Sequence, residues 1–219
     1  MSFTPRLDTL PAAQRALWPE LAAIPPSFVL YGGTALALRL AHRASVDFDF
    51  FSHDPLDHHE LDSKLAFLRD AETLQESANT RTVLVQRANA PVKVSLFGAI
   101  TFGRVGAPEV TEDGVTRVAS LLDLAGTKIK ALLQRVEAKD YLDIVALLDH
   151  GIALPAILGA ARSLFGPAFN PLVAQKALCY FEGGDLATLP PGVKTRLVTA
   201  ASRSVDVPEV PVISSRLDG

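Results

Sequence analysis

Asp47 and Asp49 stand one residue apart in "VDFDFF". On an extended segment that spacing turns both carboxylates to one face, while Val46, Phe48 and Phe50 take the other. Two ionised carboxylates a few ångströms apart repel by roughly 1 to 4 kcal/mol between aqueous and protein-surface dielectrics, so a positive group belongs between them. Mg2+ suits that place, because it takes oxygen ligands and is commonly held by one or two carboxylates together with substrate phosphates. Mn2+ prefers the same donors. Upstream, Gly32 and Gly33 allow the backbone to approach a ligand closely, and a helix starting there would offer unpaired N–H groups and partial positive charge to a phosphate. A glycine turn or an aspartate pair alone is more often an ordinary turn or a solvated strand face. Their combination over so few residues predicts a device that holds phosphates on a metal.

The elements that must position these residues follow from periodicity. Leu10, Leu17, Trp18 and Leu21 have helical spacing over 10–23, which Pro25 and Pro26 stop. An extended run covers 28–31, the two glycines break it, and Thr34 stands where it can cap a helix running to about His42. A strand at 46–51 comes next. Asp57 and Glu60 form a capping-box pattern that opens a helix to about Arg69. Strands at 82–86 and 92–97 flank the turn-prone Ala88-Asn89-Ala90-Pro91. From Ser120 the texture changes: Leu121, Ala125, Ile129, Leu132 and Val136 lie in one helical arc, and helices are expected at 141–148, 155–165, 171–181 and 193–202. The fold class expected is α/β (α+β), a mixed sheet with helices over 1–119. A helical bundle over 120–205 would complete a cleft, and 206–219, with Pro208, Pro211 and no periodicity, would trail loosely.

Bulk properties remove several function classes. A net charge of -3 and a pI near 5.9 carry no general nucleic-acid signature, so a polyanion would need a local basic patch. Arg81, Arg87, Lys93 and Arg104, on or beside the middle strands, would form such a strip, or simply an exposed sheet face. The single cysteine, Cys179, excludes an intramolecular disulfide and reads as a core filler in a reducing cytoplasm. No run approaches 18 apolar residues and no export signal is visible, so a cytoplasmic location without membrane contact is expected. Neither GxSxG nor GK[ST] occurs. "HDPLDHHE" at 53–60 concentrates histidine and acid, but adjacent histidines at a helix start diverge, which favours a surface role over a transition-metal site. His42 and Arg43, just before the aspartate strand, are better placed to touch a nucleotide or to finish a helix.

A second charged block lies at 124–144. On a helical wheel Lys128 and Arg135 fall together at the margin of the apolar arc and Lys130 points away, which fits a cleft wall. It equally fits snorkelling cations paired with Asp140 or Asp143.

"GGTALALRLAHRASVDFDFF" followed by "LAGTKIKALLQRVEAKDYLDI" resembles the AbiEii/AbiGii toxin family of nucleotidyltransferases, a branch of the DNA polymerase β-like superfamily, over two blocks within residues 28–149. Members of that family act as toxins of toxin–antitoxin pairs, and some transfer nucleotides to tRNA. The resemblance implies that Gly32, Gly33 and Thr34 position nucleotide phosphates, that Asp47 and Asp49 bind metal, and that Lys128 contacts phosphate. It makes Asp140, in the KDY block, a base or an orienting group. The implied reaction moves a nucleotidyl group from a nucleoside triphosphate to an acceptor hydroxyl of RNA (tRNA) or protein, with a cognate antitoxin as further partner. One position departs from the pattern: superfamily members often carry a third carboxylate on a later strand, and Ser95 in "VKVSLFG" stands there. That departure keeps open a catalytically weak module acting through RNA or protein contacts, and, less favoured, a nucleotide-dependent phosphotransferase.

Overall fold

"DFDFF" and the glycines before it become a strand and a helix start lying side by side. The computed structural model describes residues 1–202 and 206–218. The chain forms two compact units, one of Met1–Ser120 with Ser214–Gly219 and one of Leu121–Ile213. The boundary expected at residue 205 lies outside the described residues.

The first unit carries β1 (Ser2–Phe3), β2 (Val29–Tyr31), β3 (Asp47–Phe51), β4 (Glu72–Ser77), β5 (Thr80–Arg87), β6 (Ala90–Phe97), β7 (Glu109–Thr111) and β8 (Arg117–Val118). They form one mixed sheet in the order β1-β7-β8-β2-β3-β6-β5-β4. The central strand β3 runs antiparallel to β2 and parallel to β6. Alternation sends Phe48 and Phe50 of β3, Val94 and Leu96 of β6, and Val83 and Val85 of β5 into the core. Helix α1 (Ala12–Leu17) and a 3-10 turn at Trp18–Ala23 supply Leu17, Trp18 and Leu21 to that core, the Trp18 ring centroid lying 6.1 Å from that of Phe48. Helix α2 (Gly32–Leu40) is tied to the far strands by Arg39, which bonds Glu109 at 2.5 Å and the Val118 carbonyl at 3.1 Å. Helix α3 (His58–Lys64) opens as expected, the Asp57 carboxylate accepting from the Glu60 N–H at 2.9 Å. It stops at Lys64, before a separate 3-10 turn at Ala66–Leu68, so it is shorter than its sequence pattern predicts.

The second unit is helical: α4 (Leu121–Leu132), α5 (Ala138–Asp149), α6 (Leu154–Phe165), α7 (Pro171–Ala177) and α8 (Pro191–Ala201). Asn170 caps α7 through the N–H groups of Leu172 and Val173. Because α7 ends at Ala177, Cys179 falls beyond it and is exposed, not a core filler. No single helix among the described residues is long and apolar enough to cross a membrane.

The C-terminal segment is docked, contrary to the loose tail expected. Prolines remove its periodicity but leave its carbonyls open to arginine donors. In the helical unit Arg162 donates to the carbonyls of Val207 and Pro208 at 3.0 and 3.1 Å. In the sheet unit Arg104 donates to the Arg216 carbonyl at 3.1 Å, Arg216 grips Asp54 with a fork at 3.0 and 2.7 Å, and Leu217 is 1% exposed. Leu217→Ala is therefore expected to destabilise the sheet unit by about 2–5 kcal/mol, read as a lower urea midpoint. An unchanged midpoint would mean that the segment docks without contributing to the core.

Candidate active site

Tyr31, the last residue of β2, pairs with Asp49 across the antiparallel ladder, and the chain then enters α2 at Gly32 with φ +78°. A Cβ there would stand 2.8 Å from Asp49 Oδ2. Both the left-handed φ and the missing side chain are needed for the turn to lie against this carboxylate. At Gly33 a Cβ would stand 2.6 Å from an Arg43 Nη and 2.9 Å from Ser45 Oγ. The guanidinium of Arg43 thus lies against the first turn of α2, one of its Nη atoms also donating to the Ala44 carbonyl at 3.0 Å. Left-handed Ala41, φ 52°, ends the helix and redirects the chain toward β3.

Thr34 does not cap α2. The helix starts three residues earlier than its hydroxyl would require, and Thr34 Oγ1 donates instead to the Asp47 carbonyl, tying the helix start to β3. No side chain caps the N-terminus of α2. Its first N–H groups therefore look for an acceptor from outside the helix, and the helix dipole favours an anion there.

Asp47 and Asp49 share one face of β3, both partly exposed. The parallel register sets Lys93 beside Asp47 and Ser95 beside Asp49. Lys93 Nζ lies 2.9 Å from Asp47 Oδ2, and buried Ser95 brings a hydroxyl where a third carboxylate would stand. Two residues beyond Asp49, Phe51 stacks on Tyr31 at 5.0 Å and meets Phe97 edge-on at 5.3 Å, closing that end of the face with aromatic rings. Among the described residues no group of three or more His, Cys, Asp or Glu side chains is arranged to hold a metal. Two carboxylates beside a helix N-terminus fit a hard cation that takes its other ligands from phosphates and water, as Mg2+ does, and do not fit an all-protein cage.

In the helical unit Lys128 of α4 is buried with its ammonium 3.1 Å from Asp140 Oδ1 and 2.7 Å from Asp143 Oδ2, both on α5. Arg135 does not belong to α4, which ends at Leu132; it sits in the connection to α5 and reaches Asp140 as a fork, 2.7 Å to Oδ2 and 3.0 Å to Oδ1. Lys128 and Arg135 therefore converge through a shared carboxylate, and not through the helical periodicity that first linked them. Burial pushes the Asp140 carboxyl up, but the Arg135 hydrogen bonds and the charges of Lys128 and Arg135 more than reverse this, holding it below the usual carboxylate range.

Gly32, Gly33, Thr34, Asp47 and Asp49 meet in the sheet unit, and Lys128, Arg135 and Asp140 meet in the helical unit. Lys93, read from the sequence only as part of a basic strip, belongs with the carboxylates; its position opposite Asp47 needed the strand register to be found. The strip itself does not form. Arg81 pairs with Glu76 and Asp62, Arg87 with Glu20 at 2.6 Å, and Arg104 is buried against backbone carbonyls. In "HDPLDHHE", His53 and His58 bond the carbonyls of Ile100 and Ser77 and Asp54 pairs with Arg216, as a surface role requires.

Comparison with known proteins bears on the family and the fold of the chain. An uncharacterised protein of Aquifex aeolicus (strain VF5) is 30% identical over 158 residues, 71% of this chain and 74% of the relative. A crystal structure from H. pylori, described as that of a candidate nucleotidyltransferase, superposes with a TM-score of 0.57 at 18% identity. It covers 87% of this chain and 90% of the other, a likeness of fold. Residues 15–170 match the family described as nucleotidyl transferase AbiEii toxin, type IV TA system. That span is well over half of the 219 residues, and the chain belongs to the AbiEii nucleotidyltransferase toxin family of type IV toxin–antitoxin systems.

Proposed function

We propose that the chain is a Mg2+-dependent nucleotidyltransferase that moves a nucleotidyl group from a nucleoside triphosphate to an acceptor hydroxyl, on tRNA or other RNA or on protein. It would be the toxin of a pair with a cognate antitoxin. The observation that carries this reading is the approach of the Gly32 turn to Asp49, which sets an uncapped helix N-terminus beside paired carboxylates. The N–H groups at Gly32, Gly33 and Thr34 would bind the triphosphate, with Arg43 against the same turn as a second donor. Asp47 and Asp49 would hold the metal, Mg2+ or Mn2+, which supplies screening of phosphate charge and acidification of the acceptor hydroxyl. Lys128, given a phosphate contact by the family resemblance, and Arg135, placed beside it by the helical wheel, would bind phosphate as cations held in place by Asp140.

Asp140 serves in this reading as the orienting group, not the base. Both its oxygens already accept from cations and its proton affinity is lowered, the reverse of what a general base near neutral pH needs. With Ser95 opposite Asp49, β6 offers a hydroxyl in place of the third carboxylate, so positioning and charge screening would carry most of the rate. Ser95 is also what favours the alternative, a nucleotidyltransferase-fold module that binds RNA or protein without turnover.

The deciding experiment incubates the protein with each labelled nucleoside triphosphate, Mg2+ and total cellular RNA, beside Asp49→Ala. Label in RNA or protein with the native chain alone is the expected result. No label from the native chain, with partner binding unchanged in Asp49→Ala, would establish the binding module instead. Gly32→Ala is expected to lower transfer by about 100-fold, because displacing the turn from Asp49 misplaces phosphate against metal; near-native rates would remove the turn from the site.

Asp140→Asn tests the orienting role through stability. Because the folded carboxyl is held below its ordinary value, the stabilisation from its ionised form is complete above the unfolded value of about 3.9 and is lost as pH falls through the lower folded value. The substitution should cost about 3–5 kcal/mol near neutral pH, since Lys128 and Arg135 lose a partner in or at the edge of the core. It should also flatten the acid limb of a stability–pH curve measured by denaturant. An acid limb unchanged by the substitution would show that Asp140 is not its source.

A further inference from the structure

The contact between Lys93 and Asp47 has no part in the reaction just described. The register of β3 and β6 fixes it: the two residues are directly paired in a parallel ladder and point to one face, Nζ 2.9 Å from Asp47 Oδ2. The ammonium thus occupies an oxygen that a metal on Asp47 and Asp49 would use. It also cancels one of the two negative charges that would attract the metal. Ser95, next on the same face of β6, adds no charge beside Asp49. Divalent-cation affinity scales with ligand charge, so this face is a weak trap for a free ion. Lys93 is 38% exposed in its side chain and Asp47 31%, so the pair is screened by water and readily exchanged. A lysine is a compact point charge on a flexible stem that binds phosphates well.

We propose that Lys93 determines the form in which the metal is admitted. It holds Asp47 against free divalent cations and releases it to a cation delivered on a triphosphate, whose own negative charge then takes over the ammonium. The exchange keeps a positive charge beside Asp47 throughout, and no like-charged pair is left uncompensated on β3. A cross-strand ion pair that served only strand register would not couple the two ligands. The proposal rests on the nucleotidyl-transfer reading of Asp47 and Asp49.

The test titrates the full-length protein with Mn2+, followed by the electron paramagnetic resonance signal of the free ion, with and without inorganic triphosphate. The native chain should bind Mn2+ weakly alone and much more tightly with triphosphate. Lys93→Met should bind Mn2+ alone about tenfold more tightly and lose about tenfold of the gain from triphosphate, the size expected for one unit charge a few ångströms away at a surface dielectric. Lys93→Arg, which keeps the charge, should behave as the native chain in both arms. Lys93→Met with a native affinity for Mn2+ alone, or with a native gain from triphosphate, overturns the exchange while leaving the metal site intact. If native and Lys93→Met take up no Mn2+ in either arm, or Asp49→Asn binds as the native chain does, the nucleotidyl-transfer reading itself fails and this inference falls with it.

Discussion

The approach of the Gly32 backbone to the Asp49 carboxylate is the constraint on which the sheet unit's site depends. A Cβ at that point would come within 2.8 Å of Asp49 Oδ2, and φ is +78°, so only glycine satisfies both requirements at once. The consequences run outward through the register. Tyr31 pairs with Asp49, Thr34 reaches the Asp47 carbonyl, and the start of α2 is held against β3 at two successive points. The partial positive charge of a helix N-terminus then lies beside two carboxylates that would otherwise repel each other. The proposed phosphate and metal would use this juxtaposition of opposite charges together.

The helical unit solves a different electrostatic problem. Lys128 is buried, and a buried ammonium without partners would lose its proton or unfold its surroundings. Asp140 and Asp143, three residues apart on one face of α5, provide two carboxylates for one ammonium, and the second cation needed to balance them comes from Arg135, 44% exposed in its side chain. The two carboxylates fix the direction of the Lys128 ammonium. Ion pairing of this kind is costly to break and adds little over an apolar core, so its presence here fits a need for a fixed cation more than a need for stability.

Much of this was legible in the sequence because it is local. Alternation in "DFDFF" assigns faces without knowing any neighbour, the Asp57 cap needs only Glu60, and Ala88-Asn89 at φ 46° and 61° make a two-residue hairpin turn within the four-residue turn-prone stretch read at 88–91. What escaped is non-local. β1, β7 and β8 are two or three residues long, and although β7 and β8 pair locally with each other, they join the sheet through distant partners such as Phe3 with Thr111 and Leu30 with Val118. The basic strip dissolved because its neutralising partners, Glu20 for Arg87 among them, lie 67 residues away in that case. Arg135 was placed on the right surface for the wrong reason: its helix had ended, and Asp140 did the gathering. Thr34 was misassigned because the helix already starts at Gly32, which leaves its hydroxyl free to donate to a strand carbonyl instead of accepting from a helix N–H.

Ser95 decides how much of the chemistry this face can supply by itself. A carboxylate there would have stood beside Asp49 as Lys93 stands beside Asp47, giving three like charges on adjacent strands that only bound cations could stabilise. With a hydroxyl in that position the face carries one negative charge fewer, and Lys93 screens Asp47 without any ligand. The sheet can therefore keep its geometry while binding nothing, and binding energy from phosphate need not be spent on assembling the site. Under the proposed reaction the cost would fall on proton transfer, since a serine hydroxyl beside Asp49 is no general base near neutral pH. Any turnover must then draw on how closely phosphate, metal and acceptor are aligned, which returns the demand to the Gly32 turn.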